Sequence, residues 1–193
     1  MLNFILASSS PRRRELLKNL GLDFQVIASN FNEESISSSN PIHLVQELAY
    51  NKALSVKKKV CKDALILGAD TIVLKEGILG KPKNEKEAYE ILKSLSGGCH
   101  RVITGFSIIS TYSMVEFTGY EITKVFFKEL TEEDILTYIS TGEPMDKAGA
   151  YGLQGRGSLF VSRIEGDYFN VVGLPLFKLN EALEDKFSFK LLR

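Results

Sequence analysis

The chain has 193 residues, a length that suits one domain or two small lobes sharing a core. Lysine and arginine together number 24, as do aspartate and glutamate, so no overall basic field draws the chain onto nucleic acid. No apolar stretch approaches the ~20 residues that cross a bilayer, and the apolar "FILA" near the start is too short for a secretory signal. Composition therefore predicts a cytoplasmic protein with neither a membrane nor a nucleic acid as partner.

Strand-like and helix-like patterns alternate along the chain, which predicts a mixed α/β fold. The sheet is expected to be partly parallel and partly antiparallel, covered by helices, with a central cleft between two lobes. In chain order, the sequence predicts a strand at 3–7, a helix at 11–21, a strand at 24–29, a polar loop at 29–41, a helix from Pro41 to about Val60, a strand at 64–74 interrupted by Gly68 and Asp70, a helix at 84–95, a hairpin of strands at 101–110 and 114–128, a helix at 131–140, a strand at 158–164 and a helix entered at Pro175.

Residue pairs typical of helix starts support three of these helices. A cap followed by proline, or a polar residue with an acidic one three positions later, satisfies the amides of a first turn. These pairs are Ser10 with Pro11, Asn84 with Glu87, and Thr131 with Asp134.

The stretch "LASSSPRRREL" joins the first strand to the first helix through a polar turn. The first amides of a helix lack internal partners, and the dipole adds about half a positive charge there. Serine hydroxyls from Ser8, Ser9 and Ser10 can donate to phosphate oxygens. Arg12 and Arg13 oppose the dipole, a disadvantage that a bound polyphosphate would relieve. The stretch indicates either a polyphosphate site or a solvated helix start with incidental arginines.

Charged residues at three further places in the chain fit an anion or metal site, although each also has an ordinary structural interpretation. Asp70 ends the apolar run "ALILGAD", near the carboxyl end of a strand, where ligands gather in α/β sheets; it could equally cap a turn. Lys81 lies on the turn "GKP" and could be a plain surface lysine. Glu33 and Glu34 form an acidic pair that could simply be solvated.

The segment "DKAGAYGLQGRG" at 146–157 contains four glycines in nine residues. Glycine permits positive φ and lets a ligand approach the backbone closely, although a plain flexible loop has the same composition. The spacing is neither a dinucleotide fingerprint nor a Walker A loop. Cys61 and Cys99 lack metal-ligand spacing, and two histidines are too few for a nitrogen-rich site, so any metal should be a hard cation bound by oxygen.

Taken together, six ordered motifs closely resemble those of the Maf family of nucleoside triphosphate pyrophosphatases, once described as septum formation inhibitors. The resemblance spans Leu6 to about Leu183 and implies a single Maf-like domain over residues 1–193. It also implies the α/β fold shared with the inosine triphosphate pyrophosphatases, a twisted mixed sheet with a cleft between lobes. The motifs are "LASSSPRRREL", "LAYNKA", "GADTIV", "GKP", "EPMDKAGAYGLQGRG" and "GDYFNVVGLP".

The resemblance implies hydrolysis of a nucleoside triphosphate to the monophosphate and pyrophosphate, with a divalent cation, Mg²⁺ or Mn²⁺. The family's general base falls on Asp70, and carboxylates at Glu33 and Asp70 would hold the metal. The family's acidic loop usually reads Asp-Glu, whereas this chain has Asn32 before Glu33. The family's substrate-binding positions fall on Ser8, Ser10, Arg12, Arg13, Lys52, Lys81 and Lys147.

Three positions place the chain with the branch of the family that prefers dTTP and UTP. Arg12, Thr71 and Gln154 match the residues of that branch. A glutamine amide offers an acceptor and a donor that match the N3–H and O4 edge of thymine or uracil. Cytosine reverses this donor and acceptor order, and a flipped amide could partly match it, so CTP is a further expected substrate. Modified pyrimidine triphosphates are further expected substrates.

Two other interpretations stay open at the level of sequence. A nucleotide-sensing regulator of cell division is suggested by the family's older name, and the inosine triphosphate branch shares the fold class and reaction. The combination at the three branch positions argues against the second. A homodimer is also an expectation, because relatives often pair.

Overall fold

The computed structural model describes residues 3–192 and has a mixed α/β architecture, as predicted. The strands are β1 (Asn3–Leu6), β2 (Gln25–Val26), β3 (Ala64–Leu74), β4 (Ile78–Leu79), β5 (Cys99–Ser110), β6 (Glu116–Phe127) and β7 (Val161–Glu165). The α-helices are α1 (Pro11–Asn19), α2 (Pro41–Lys57), α3 (Glu85–Leu95), α4 (Glu132–Ile139), α5 (Tyr168–Val172) and α6 (Leu176–Phe187). Short 3₁₀ turns occupy Glu33–Ser35, Glu143–Asp146, Ala148–Ala150 and Arg156–Phe160.

The seven strands within residues 3–192 join one sheet, in the order β2-β1-β3-β5-β6-β7, with β4 paired to β3. β1 runs parallel to both β2 and β3, whereas β3 with β4 and β6 with β7 pair antiparallel. The prediction of a sheet with both kinds of pairing is therefore confirmed. None of the helices within residues 3–192 combines the length and apolarity that a membrane span requires.

The chain divides into two compact units. The first unit takes in the chain up to Asp70, Thr104–Glu121 and the chain from Gly173 onward. The second comprises Thr71–Ile103 and Ile122–Val172. That the whole chain acts as a single domain with a central cleft stays a prediction.

Several element boundaries differ from the sequence prediction. β3 runs without a break from Ala64 to Leu74, so the predicted interruption at Gly68 and Asp70 is wrong. The predicted strand at 158–164 begins later, because residues 158–160 belong to a 3₁₀ turn. The short helix α5 lies in a segment where no element is predicted.

Cap geometry explains where α3 and α4 begin. At α4, Thr131 accepts from the backbone N–H of Asp134, whose carboxylate accepts from that of Thr131, a complete capping box. At α3, Asn84 accepts from the backbone N–H of Glu87. The Glu87 carboxylate accepts from the backbone N–H of Lys83 rather than from that of Asn84, so only half of the predicted capping box forms.

In the first unit, α2 lies directly against the sheet because two strand glycines leave room for its backbone. A Cβ atom on Gly68 would overlap the carbonyl oxygen of Ala49, and one on Gly105 would overlap that of Val45. Val45, Ala49 and Ala53, spaced four residues apart on α2, are fully buried. Gly68 therefore serves close packing of helix on strand rather than a break in the strand.

The second unit contains a buried histidine within an aromatic cluster. His100 is 2% exposed, its Nε2 lies 2.8 Å from the Tyr151 hydroxyl, and its ring meets Phe127 edge to face. Burial, and secondarily the charge of Lys75, lowers the pKa of His100 to about 4. The folded protein therefore keeps this imidazole neutral at neutral pH.

This histidine should make the protein less stable in mild acid. Because the pKa of His100 is about 4 when folded and about 6.5 when unfolded, the unfolded chain binds the proton first as pH falls. The stabilisation is complete above the unfolded pKa and is lost progressively down to the folded one, by about 2 to 3 kcal/mol. Urea unfolding of the wild type and His100→Gln at pH 7 and pH 4.5 measures it. The variant should lose less stability on acidification; equal losses would contradict the assignment.

Candidate functional site

Asp70 lies beside the carboxyl end of β1, although not at the end of its own strand. Leu6, the last residue of β1, pairs with Leu67 of β3, and β3 then continues to Leu74. Asp70 thus follows the point where the neighbouring strand has stopped. The prediction that Asp70 lies at or near the carboxyl end of its strand is wrong, but its charge still acts on Arg13 in the first turn of α1.

Lys52 of α2 brings together the two carboxylates predicted to hold a metal. Its Nζ lies 2.6 Å from Oδ1 of Asp70 and 2.8 Å from Oε1 of Glu33. Lys52 and Asp70 are both 8% exposed, whereas Glu33 is exposed. The close approach of α2 to β3 at Gly68 sets this contact, because it fixes the helix two residues before Asp70.

Glu33 is presented by a short capped turn in the polar loop. The side chain of Asn32 accepts from the backbone N–H of Glu34 at 3.2 Å, and the carbonyl of Asn32 accepts from the Ser35 hydroxyl at 2.6 Å. Asparagine and aspartate both serve as such caps. The Asn32 that distinguishes this chain therefore keeps the turn that holds Glu33.

The turn after β1 forms a compact network of serine and arginine. Ser10 caps α1 by accepting from the backbone N–H of Arg13, and Ser8 accepts from the backbone N–H of Ser10 at 3.2 Å. The Arg13 guanidinium donates to Ser8 at 3.3 Å and to the carbonyl of Gly173 at 2.8 Å. Arg13 is thus held by the protein's own groups, which sequence reasoning did not foresee.

Charge near Arg13 links this turn to the carboxylates. Burial is the main cause that lowers the pKa of Arg13, and the charges of Asp70 and Glu33 act in the opposite direction. The positive charge of Arg12, which is half-buried, also lowers the pKa of Arg13. The first unit therefore contains basic and acidic groups that lie close enough to interact electrostatically.

Gly173 is a site residue that sequence reasoning missed. Its carbonyl holds Arg13, and its φ of 125° lies where residues other than glycine are strained. The motif "GDYFNVVGLP" contains it, but nothing in a single sequence links residue 173 to residue 13.

The other predicted site residues belong to the second unit. Thr71 follows Asp70 in β3 and is half-buried, and Lys81 is exposed between β4 and α3. Lys147 donates to the carbonyl of Glu143 and pairs with Asp146, each at 2.6 Å. Gln154 is exposed in the glycine-rich segment.

The structure brings the turn of Lys81 next to the glycine-rich segment. The backbone N–H of Gly149 donates to the carbonyl of Gly80 at 3.0 Å. Gly149 has a φ of 71°, the only positive value among the four glycines of residues 149–157. The predicted positive φ is therefore confirmed at one of these positions.

The donor set of the first unit fits a hard divalent cation. Among residues 3–192, no group of three or more His, Cys, Asp or Glu side chains could hold a metal ion. Glu33 and Asp70 instead supply two carboxylates that converge on one ammonium nitrogen. Mg²⁺ is commonly bound by one or two carboxylates, with waters and substrate phosphates completing its shell.

Comparison with known proteins agrees with the motifs. The family of Maf-like proteins matches residues 3–186. A dTTP/UTP pyrophosphatase of Alkaliphilus oremlandii is 54% identical over 100% of both chains, and one of a Geobacillus species is 55% identical over 91% of this chain and 94% of its own. A solved nucleoside-triphosphatase / dITP/XTP pyrophosphatase from Mycobacterium abscessus is 13% identical, with a TM-score of 0.43, over 67% of this chain and 76% of that one. With a family match across nearly its whole length, the chain belongs to the Maf family.

Proposed function

We propose that this protein hydrolyses dTTP and UTP to the nucleoside monophosphate and pyrophosphate, with CTP or modified pyrimidine triphosphates as further substrates. The observation that carries the proposal is the convergence of Asp70, Lys52 and Glu33 beside the turn after β1. The shared name of the relatives, dTTP/UTP pyrophosphatase, supports the same reaction.

Basic and hydroxyl groups of the first unit suit a triphosphate. Attack on a phosphate is opposed by its negative charge until that charge is matched. Arg12, Arg13 and Lys52 supply cationic donors, and arginine can bind phosphate through two parallel hydrogen bonds. Ser8 and Ser10 lie in the same turn and act as acceptors toward Arg13 and the backbone N–H of Ser10, so their O–H groups can donate to a phosphate oxygen.

Asp70 is the proposed general base, which takes a proton from the water that attacks the α-phosphorus. Its side chain is almost enclosed, and Lys52 fixes one of its oxygens at 2.6 Å. An oriented carboxylate of this kind contributes typically about 10²–10⁴-fold to the rate. The departing group is pyrophosphate.

Maf-like nucleotide pyrophosphatases generally use divalent metals. We assign Glu33 and Asp70 as the carboxylates that would hold Mg²⁺ or Mn²⁺. Such a cation supplies Lewis-acid stabilisation of charge on phosphate oxygens. Lys52, now between the two carboxylates, would then turn its ammonium toward the phosphates.

We also propose substrate-binding roles for Lys81, Lys147, Gln154 and Thr71. Lys81 and Lys147 would bind phosphate oxygens, and Gln154 would read the pyrimidine edge through its amide. Thr71 and Arg12 complete the set of branch positions. A cytoplasmic location, a homodimer and the absence of nucleic-acid or membrane partners remain predictions.

The regulator of cell division is the less favoured alternative. No observation on the described residues singles out a partner surface for it, whereas both the acid–base constellation and the names of the relatives favour an enzyme.

A panel of nucleotides with identified products tests the proposal. With Mg²⁺ present, dTTP and UTP should give monophosphate and pyrophosphate with higher kcat/KM than dCTP, dATP, dGTP or ITP. Omitting the metal and adding a chelator should abolish turnover. A clear preference for a guanosine triphosphate or ITP would defeat the assigned selectivity, and tight binding without turnover would favour a sensor.

A further inference from the structure

The carboxylate of Glu143, which is not among the predicted site residues, accepts two backbone hydrogen bonds from the segment that carries Gln154. Oε2 of Glu143 accepts from the backbone N–H of Arg156 at 3.0 Å, and Oε1 accepts from that of Gly157 at 3.3 Å. Both contacts lie within the second unit. Two backbone amides just after Gln154 are therefore held by one side chain.

Tyr138 of α4 extends this hold to the other side of Gln154. Its hydroxyl donates to Oε1 of Glu143 at 3.0 Å and accepts from the backbone N–H of Gly152 at 3.2 Å. Burial, followed by the nearby charge of Glu143, raises the pKa of Tyr138, so the phenol stays a neutral donor. The segment is anchored two residues before and two residues after Gln154.

The glycines of this segment make room for those anchors. A Cβ atom on Gly155 would overlap the Glu143 carboxylate, and one on Gly157 would lie 2.7 Å from the Tyr138 hydroxyl. A Cβ on Gly152 would lie 2.5 Å from Cε of Lys147. At these three positions the space beside the glycine backbone is filled by the protein's own side chains.

Glu143 is itself held in place. Its backbone N–H donates to the Thr141 hydroxyl at 3.2 Å, and its carbonyl accepts from Lys147 at 2.6 Å. The same glutamate therefore touches a predicted phosphate-binding lysine and the loop of the predicted base-reading glutamine. Hydrogen bonds to a charged acceptor are stronger than neutral ones, which suits it to fixing a loop.

We propose that Glu143, assisted by Tyr138, is a positioning residue that sets base selectivity by holding the 152–157 segment and its Gln154. The proposal rests on the proposed hydrolysis of dTTP and UTP. Glu143 acts through Gln154, so its loss should weaken discrimination among bases while the reacting groups, Asp70 and Lys52, stay intact.

The first test compares kcat and KM for dTTP and dCTP in Glu143→Ala, with Glu133→Ala of the exposed start of α4 as control. Glu143→Ala should raise KM for dTTP and lower the dTTP-to-dCTP ratio of kcat/KM, each by about 10-fold, with kcat for dTTP changed less than about 3-fold. Glu143→Gln should fall between wild type and alanine, because one oxygen is lost and one kept. Tyr138→Phe, which keeps the buried ring, should change selectivity in the same direction by less.

A double-mutant cycle with Gln154→Ala separates positioning from general destabilisation. If Glu143 acts through Gln154, adding Glu143→Ala to Gln154→Ala should reduce selectivity little further. Independent, additive losses would overturn the proposal, as would wild-type selectivity in Glu143→Ala or a fall in kcat alone.

Amide hydrogen exchange tests the hold on the segment without any turnover. The amides of Gly152, Arg156 and Gly157 should exchange at least about 10-fold faster in Glu143→Ala than in wild type and Glu133→Ala. Unchanged exchange would overturn the positioning role even if the enzyme is active. If wild type releases no pyrophosphate from dTTP, the proposed function and the selectivity role fail together, while faster exchange would still identify Glu143 as the anchor.

Discussion

Replacing Asp70 with asparagine should lower the turnover of dTTP by at least ~100-fold, while the protein still folds. The amide keeps the shape of the carboxylate and an oxygen that can accept from Lys52 Nζ, which lies 2.6 Å from Oδ1 in the wild type. It cannot take a proton from water. Steady-state pyrophosphate release, with circular dichroism to check folding, measures the effect.

Asp63→Asn provides the matched control. Asp63 is exposed and directly precedes β3, and its replacement by asparagine removes the same negative charge. Its turnover should stay within about 2-fold of wild type, as expected for a surface position. An Asp70→Asn enzyme with near-normal turnover would remove Asp70 from the role of general base.

Replacing Lys52 with methionine should damage both stability and activity. Lys52 is the buried partner of Asp70, and removing one member of a buried ion pair leaves an uncompensated charge, at a cost of about 3–5 kcal/mol. The variant also lacks the cation proposed to bind phosphate. Urea unfolding without added metal should show this loss, and kcat/KM for dTTP should fall by about 100-fold.

Lys57→Met on the same helix is the comparison. Lys57 pairs with Glu116 at 3.0 Å, but both side chains are about one-third exposed, and such pairs contribute about 0–1 kcal/mol. Equal losses in the free energy of unfolding for the two substitutions would show that the buried Lys52–Asp70 pair contributes no more to stability than the partly exposed Lys57–Glu116 pair. Unaltered kcat/KM in Lys52→Met would exclude Lys52 from phosphate binding.

Local signals in the sequence predict the order and type of most elements. The capping box of Thr131 and Asp134 forms as expected, because both partners lie within one turn of chain. Gly68 shows where such reasoning stops. A glycine in a strand can mark a break or a close neighbour, and only the packing of α2 on β3 distinguishes the two.

The site shows the same division between local and tertiary information. Glu33, Lys52 and Asp70 come from three separate segments, so their contact depends on how α2 and the polar loop pack against β3. Family motifs identify these residues, whereas spacing alone does not.

Two residues of the site region escape sequence reasoning for a related reason. Glu143 begins the motif "EPMDKAGAYGLQGRG", but its contacts with residues 156 and 157 depend on the path of the glycine-rich segment. Glycine leaves no side-chain pattern from which that path could be inferred. Gly173 contacts Arg13 across 160 positions of sequence, and a single chain carries no sign of that hydrogen bond.

The most direct test of the proposed reaction is to run dTTP hydrolysis in isotopically labelled water and locate the label. Attack on the α-phosphorus, with Asp70 accepting the proton, predicts labelled oxygen in dTMP and unlabelled pyrophosphate. Label in pyrophosphate, or release of orthophosphate, would mean that water attacks a different phosphorus and would contradict the account.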